Sequence, residues 1–322
     1  MVDRIPDQIL DKIPLVAVVG PTASGKTGLG IAIAKHYGGE VVSADSMQIY
    51  RTMDIATAKP TPEEMDGVPH HLIDFWDPDK PFSLAEYVEL AGKVIADIHS
   101  RGKLPVLVGG TGLYVNTLLD NITLGDSGGD EKLRVELLRE ADEKGNGFLL
   151  EQLRTFDPEM AASLHENNLL RIVRAIEVYR LTGTTMSEWV KRSRGEESPY
   201  HFCMIGLNYK DRQNLYDRIN LRVDQMMKAG LLEETRQVLD APLQTAAQAI
   251  GYKELKPYLM GELPLDICVE KLKQSTRRYA KRQLTWFRRD GRIHWIYPDE
   301  EKNFAKVFKK SVKIIENSGI LC

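Results

Sequence analysis

The stretch VAVVGPTASGKTGL, beginning at Val16, constrains this chain more than any other. Gly20 and Gly25-Lys26-Thr27 satisfy G-x-x-x-x-G-K-[ST] at every required position. Residues 15–19 read as a buried strand. Residues 27–37 read as a helix, with Leu29, Ala32 and Ile33 at helical spacing and Gly38-Gly39 as the stop. Strand, glycine loop and helix N-terminus are the context in which this motif holds phosphates. Its backbone N–H groups and the helix dipole attract an anion, and Lys26 adds a point charge. The loop therefore predicts a phosphate site. Its occupant is open between a nucleotide and another diphosphate.

Strands and helices alternate from the loop to about residue 120. Strands are expected at 40–44, 70–75 and 104–108, and Ser83 with Glu86 makes a capping box for a helix running to residue 98. Such alternation predicts a parallel sheet covered by helices. From about Asn121 the pattern changes. The run at 125–129 reads as a linker, and the text then turns helical: 131–143, 148–155, a segment capped by Asp157-Pro158, and 168–181 ending at Gly183. A polar stretch at 191–199 closes this region, and strands return at 201–207 and 293–297. The expected architecture is α/β: a P-loop NTPase-like parallel sheet flanked by helices, built from residues 1–120 and 201–322. An all-helical insert at 121–200 interrupts it.

The bulk composition, 43% hydrophobic and 28% charged, is that of an ordinary globular protein. No apolar run approaches the roughly 20 residues of a membrane span, and the acid-containing N-terminus lacks a signal-peptide core. A cytoplasmic protein without a membrane partner is expected. Cys203, Cys268 and Cys322 are too scattered for a zinc site or a disulfide framework. The net charge of −3 hides an asymmetry. Between residues 271 and 292 stand nine bases, Lys281 and Arg282 among them, against the single acid Asp290, with Tyr279, Trp286 and Phe287 interleaved. A solvated helix face and a polyanion-binding surface both fit that run.

A P-loop enzyme normally carries a metal-binding Asp at the end of a hydrophobic strand. Here LPVLVGGTGLY ends in Gly109-Gly110-Thr111 with no acid, and the carboxylate stands instead after the second strand, as Asp45 in VVSADSMQIY. Ligands of open parallel sheets lie beyond the C-terminal strand ends, so Asp45 and the loop should face one crevice. An Asp followed by Ser also caps turns, which is the plainer alternative. Thr57 and Lys59 fall on a polar loop, MDIATAKP, from which Lys59 could approach a phosphate. On a helix starting near Asp211, Arg218 and Arg222 stand four apart beside the apolar stripe of Leu215, Ile219, Val223 and Met226. Surface solvation is the default reading of that pair, and an anionic ligand is the sharper alternative. Arg171 and Arg174 neighbour each other on a helix of the insert.

Taken together, these segments resemble the bacterial tRNA dimethylallyltransferases, also called tRNA isopentenyltransferases. The matching stretches are GPTASGKT, SADSMQIY, MDIATAKP, LVGGTGLY, RIVRAIEV, LYDRINLRVDQM, AIGYKE and RRYAKRQLTWFRRD, in that order from residue 20 to 290. The first is shared by many unrelated NTPases. DSMQIY, TAKP, GGTGLY and QLTWFR as an ordered set are highly specific. Two departures stand out. Asn168-Leu169-Leu170-Arg171 replaces the Asp-x-Gln-Arg often found before the arginine helix, and the C-terminal zinc finger of eukaryotic relatives is missing.

The resemblance implies transfer of a dimethylallyl group from dimethylallyl diphosphate to N6 of adenosine 37, beside the tRNA anticodon, with diphosphate released and Mg²⁺ as cofactor. It implies that Gly20, Thr22, Ala23, Ser24, Gly25, Lys26, Thr27 and Arg222 hold the diphosphate, with Thr27 also on the metal. Asp45 would act as general base, Thr22 would donate to the bridging oxygen, and Arg222 would stabilise the leaving group. Asp45, Ser46, Met47, Gln48 and Thr111 would surround the flipped adenine. Lys59, Arg171, Arg174, Lys281 and Arg282 would serve the rest of the anticodon stem-loop. A monomer is expected. Three rivals stay open at this point: a P-loop small-molecule kinase, an isopentenyltransferase acting on free adenine nucleotides, and a nonenzymatic nucleotide-dependent RNA binder.

Overall fold

The computed structural model describes residues 12–122, 129–193, 197–240 and 249–321. The chain divides into two compact units, Met1–Leu119 with Ser198–Cys322, and Asp120–Glu197. The first carries one parallel sheet of β1 (Ile13–Val19), β2 (Glu40–Ser43), β3 (His70–His71), β4 (Pro105–Gly109), β5 (Tyr200–Leu207) and β6 (Ile293–Ile296). Their order across the sheet is β3-β2-β4-β1-β5-β6. Before the second unit the chain forms α1 (Lys26–Tyr37), the single turn α2 (Pro62–Met65), α3 (Leu84–Ser100) and α4 (Gly112–Leu119). The second unit contains α5 (Glu131–Lys144), α6 (Asn146–Phe156), α7 (Pro158–Ser163), α8 (Leu169–Thr182) and α9 (Met186–Arg192). The first unit then resumes with α10 (Arg212–Lys228), α11 (Leu231–Asp240), α12 (Tyr252–Leu259), α13 (Leu265–Phe287) and α14 (Phe304–Asn317).

Helices on both faces explain why β1 reads as a continuous apolar run, since Leu15 through Val19 are fully buried. Leu15, Ala17 and Val19 pack with Tyr87 and Ile95 of α3 and Val115 of α4. Val16 and Val18 point the other way, into Leu29 and Ile33 of α1 and Ile315 of α14. A third cluster roots the segment after β2: Ile49 and Met53 pack on Val223, Leu231, Tyr252 and Leu272, from α10 to α13. In the second unit, Leu137, Leu149, Leu153, Ile172 and Ile176 form a separate core.

Local signals fix several boundaries. Ser83 and Glu86 form the reciprocal capping box of α3, Asp157 caps α7, and Gly183 ends α8 in the left-handed region. Glu40 opens β2 fully enclosed; Arg101 above all, with Lys103 and His71, holds its carboxyl well below the usual range. Two expectations need correction. The strand at 70–75 is only His70–His71, because Leu72 and Asp74 take φ of 60° and 56° and turn the chain out of the sheet. The backbone N–H groups of Phe75 and Trp76 then donate to the Ile49 carbonyl, both at 3.0 Å. The polar stretch at 191–199 begins inside α9, and its residues 194–196, like 125–128 of the linker, lie outside the described residues.

Candidate active site

Because all six strands run parallel, Gly20 after β1, Asp45 after β2 and Gly110-Thr111 after β4 leave the sheet at one edge. The ends of β2 and β4 touch. A Cβ on Gly109 would lie 2.1 Å from the Ala44 carbonyl oxygen, so only glycine fits there. Thr111 N–H donates to that same carbonyl at 3.1 Å, and Ser46 N–H donates to Thr111 Oγ1 at 3.0 Å. Asp45 Oδ1 accepts from Met47 N–H at 3.0 Å, the turn-capping bond expected of an Asp in this position. Oδ2 accepts no hydrogen bond among the described residues, and Asp45 lines a cavity. The carboxylate both caps its turn and faces open space.

The phosphate loop is gripped from α10 and α13. Arg218 Nε donates to the Ala23 carbonyl at 2.9 Å, and Arg222 Nη1 to Thr22 Oγ1 at 3.4 Å. Thr22 N–H donates to Gln283 Oε1 at 2.8 Å, and Lys26 Nζ to the Pro21 carbonyl at 3.4 Å. Ser24 Oγ is buried with no partner among the described residues, so its hydroxyl is free to donate to an anion.

The cavity is about 350 Å³. Thr22, Lys26, Thr27, Asp45, Ser46, Gln48, Arg222, Tyr279 and Arg282 line it beside Met47, Ala56, Ile219, Val223, Met226 and Leu272. A cationic, phosphate-competent set and an apolar set share one enclosure, which suits an amphiphilic diphosphate. Burial, then the neighbouring Arg222 charge, pushes the Lys26 ammonium down to about 8, against an upward pull from Asp45. Burial likewise lowers Arg222. The site holds more positive charge than it neutralises, so an incoming anion relieves it.

A pH dependence follows. Affinity for a diphosphate should be full below pH 8 and weaken as pH rises through about 8, because Lys26 then discharges in the free protein. Calorimetric titration from neutral to alkaline pH measures this. Lys26→Arg keeps its charge throughout that range and should flatten the profile.

Several expected contacts are already engaged. Gln48 Nε2 donates to the Thr57 and Ala58 carbonyls at 3.1 and 3.0 Å, and its Oε1 accepts a long bond from the Ser43 hydroxyl at 3.5 Å, so the oxygen is the less committed end of this side chain. Lys59, expected at a phosphate, is instead buried between Asp54 and Asp74, 2.6 Å from each carboxylate. There it braces its own loop. Arg171 is exposed at the start of α8, whereas Arg174 pairs with the buried Glu177. On α13, Lys271, Arg278, Lys281 and Arg282 face solvent, while Lys273 pairs with Asp224 and Arg277 donates to Asn220. The basic run is thus mostly open surface, with a smaller part engaged as braces.

Two residues escaped the sequence reading. Gln283 was one; the other is Glu234, whose carboxylate accepts from the backbone N–H groups of Asp54, Ile55 and Ala56 within 2.9 Å and from the Tyr252 hydroxyl at 2.8 Å. The sequence did carry a signal for Gln283. It occupies the apolar register of α13 with Leu272, Ala280 and Phe287, where a polar side chain needs a buried partner.

Among the described residues, no three His, Cys, Asp or Glu side chains cluster as a metal cage. Magnesium needs no such cage, since it keeps several waters and takes a few hard oxygens with substrate phosphates. The Thr27 hydroxyl and the Asp45 carboxylate, both lining the cavity, are donors of that kind. No described helix is long and apolar enough to cross a membrane.

Comparison with known proteins identifies the family. The family described as IPP transferase matches residues 48–290, and that described as isopentenyl transferase matches residues 13–75. The chain is 48% identical over 307 residues to the tRNA dimethylallyltransferase of Thermoanaerobacter sp., covering 94% of this chain and 98% of that one. The solved structure of the full-length tRNA isopentenylpyrophosphate transferase from Bacillus halodurans matches with a TM-score of 0.71 and 46% identity, over 96% of this chain and 99% of that one. A eukaryotic dimethylallyltransferase acting on tRNA matches with a TM-score of 0.79 and 29% identity, over 94% and 80% of the two chains.

Proposed function

Because the chain belongs to the IPP transferase family, and so transfers a dimethylallyl group to tRNA, we propose that its cavity binds dimethylallyl diphosphate and alkylates N6 of adenosine 37. One observation carries this reading: Thr22, Lys26, Asp45 and Arg222 line a single cavity together with an apolar wall.

The exocyclic amine is a weak nucleophile, because its lone pair is delocalised into the ring. As N6 bonds to the allylic carbon, the C–O bond breaks and its electron pair leaves with the diphosphate. The nitrogen becomes acidic, and Asp45 takes its proton from within about 2.6–3.2 Å. Lys26, Arg222 and the backbone N–H groups of Ala23, Gly25, Lys26 and Thr27 stabilise the charge gathering on the leaving group, already aimed and desolvated. Thr22 Oγ donates to the bridging oxygen. Mg²⁺, held by Thr27 with phosphate oxygens and water, would neutralise further charge on the diphosphate.

The adenine must leave its stack to reach Asp45, and an unpaired loop base is less costly to extrude than a paired one. Ser46, the Gln48 oxygen and Thr111 meet the flipped base. Arg171 in one unit, and Lys281 and Arg282 in the other, contact phosphates. Kinase chemistry and a nonenzymatic role both fall with the family assignment. The acceptor is tested by offering labelled dimethylallyl diphosphate to unmodified tRNA and, separately, to AMP. Label should enter the tRNA at adenosine 37. Preferential labelling of AMP would overturn the reading.

A further inference from the structure

The geometry points to Gln283 as the positioning residue that sets the angle of Thr22 toward the bridging oxygen and fixes the turn around Thr111 by the same amide. This inference rests on the diphosphate reading above and adds the device that aligns its two halves.

Gln283 is 5% exposed, on the buried face of α13. Its Oε1 accepts from Thr22 N–H at 2.8 Å, and its Nε2 donates to the Gly110 carbonyl at 2.9 Å. One planar amide therefore bridges the loop after β1 and the turn after β4. The fit is tight: a Cβ on Gly110 would come within 2.3 Å of Nε2. Gly110 precedes Thr111, whose hydroxyl accepts from Ser46 N–H beside Asp45. From the other direction, Arg222 donates to Thr22 Oγ1. The Thr22 main chain is thus fixed from α13 and its hydroxyl from α10.

Two consequences follow for the chemistry. The Thr22 N–H is spent on Gln283, as the Ser24 N–H is on the Pro21 carbonyl at 3.3 Å, so Thr22 contributes its side chain alone. The amide also ties the leaving-group loop to the turn that neighbours the base. A shift of one relative to the other changes the line between N6, the allylic carbon and the bridging oxygen. Misplacement by about 1 Å in such a line is worth on the order of 10²-fold in rate.

The test is a double-mutant cycle read by single-turnover transfer of labelled dimethylallyl to tRNA. Gln283→Met keeps the length and removes both hydrogen bonds. Its transfer rate should fall by about 10²-fold, with the affinities for dimethylallyl diphosphate and tRNA near wild type. In a Thr22→Ala background the same substitution should cost only a small further factor, because the hydroxyl it positions is gone. Gln283→Glu keeps the acceptor for Thr22 but sets a carboxylate against the Gly110 carbonyl, so it should fall between wild type and Gln283→Met. Full additivity with Thr22→Ala would overturn the inference, as would a rate loss matched by equal losses of substrate affinity and melting temperature. A wild-type protein that labels no tRNA in this assay would instead overturn the underlying functional reading.

Discussion

Asp45→Asn should lower the single-turnover rate of dimethylallyl transfer by about 10²–10⁴-fold, the usual worth of general-base assistance. The substitution is close to isosteric. An asparagine Oδ1 can keep the bond from Met47 N–H, so the turn survives, and what is lost is the negative charge and the basicity of the oxygen facing the cavity. Affinity for either substrate should change far less than the rate, because the defect lies in the transition state. If Asp45 served only as a turn cap, the pattern would invert: a lower melting temperature with a modest, unselective loss of activity. Rate, tRNA affinity and melting temperature measured on one preparation separate the two. Near-normal single-turnover chemistry would end the assignment.

The second large effect is expected at Lys26. Lys26→Met should reduce kcat/KM for dimethylallyl diphosphate by about 10²–10³-fold, as removal of one preorganised donor does at other anionic transition states. The same substitution should raise the melting temperature of the unliganded protein. Burial holds the Lys26 ammonium at about 8 in the folded chain, against 10.5 when unfolded. Below pH 8 the fold therefore carries an ionisation penalty on the order of 3 kcal/mol, at 1.36 kcal/mol for each unit. Stability should climb with pH from about 8 toward 10.5, where the unfolded chain still holds a proton that the folded chain has released. Lys26→Met removes that slope. A variant that lost both activity and thermal stability would show that Lys26 is a structural brace on the Pro21 carbonyl rather than an anion-binding charge.

The sequence made the sheet and its loop legible because each rests on local rules. A buried parallel strand must be apolar throughout, a phosphate loop needs its glycines, and caps such as Ser83 announce themselves within four residues. Legibility failed where distant chain segments decide. The short β3 is ended by backbone turns at Leu72 and Asp74 that let the chain pair with the segment around Ile49. Lys59 reads as a free cation until the fold brings Asp74 to it, and Gln48 reads as a free amide until the carbonyls of residues 57 and 58 occupy its nitrogen. Gln283 meets Thr22 across 261 residues of chain, a distance at which no spacing rule operates. Arg222 shows the middle case. Its helical position beside the apolar stripe is readable, but its contact with Thr22 of the phosphate loop depends on how α10 packs.

If this phosphate loop holds the diphosphate of an isoprenoid, no nucleotide is consumed. The most direct measurement counts products in a single reaction containing labelled dimethylallyl diphosphate, unmodified tRNA and Mg²⁺, with no ATP. Equal molar amounts of labelled tRNA and free diphosphate are expected, with ATP added later acting only as a competitor for the loop. A requirement for ATP, or steady tRNA-stimulated ATP hydrolysis, would contradict it.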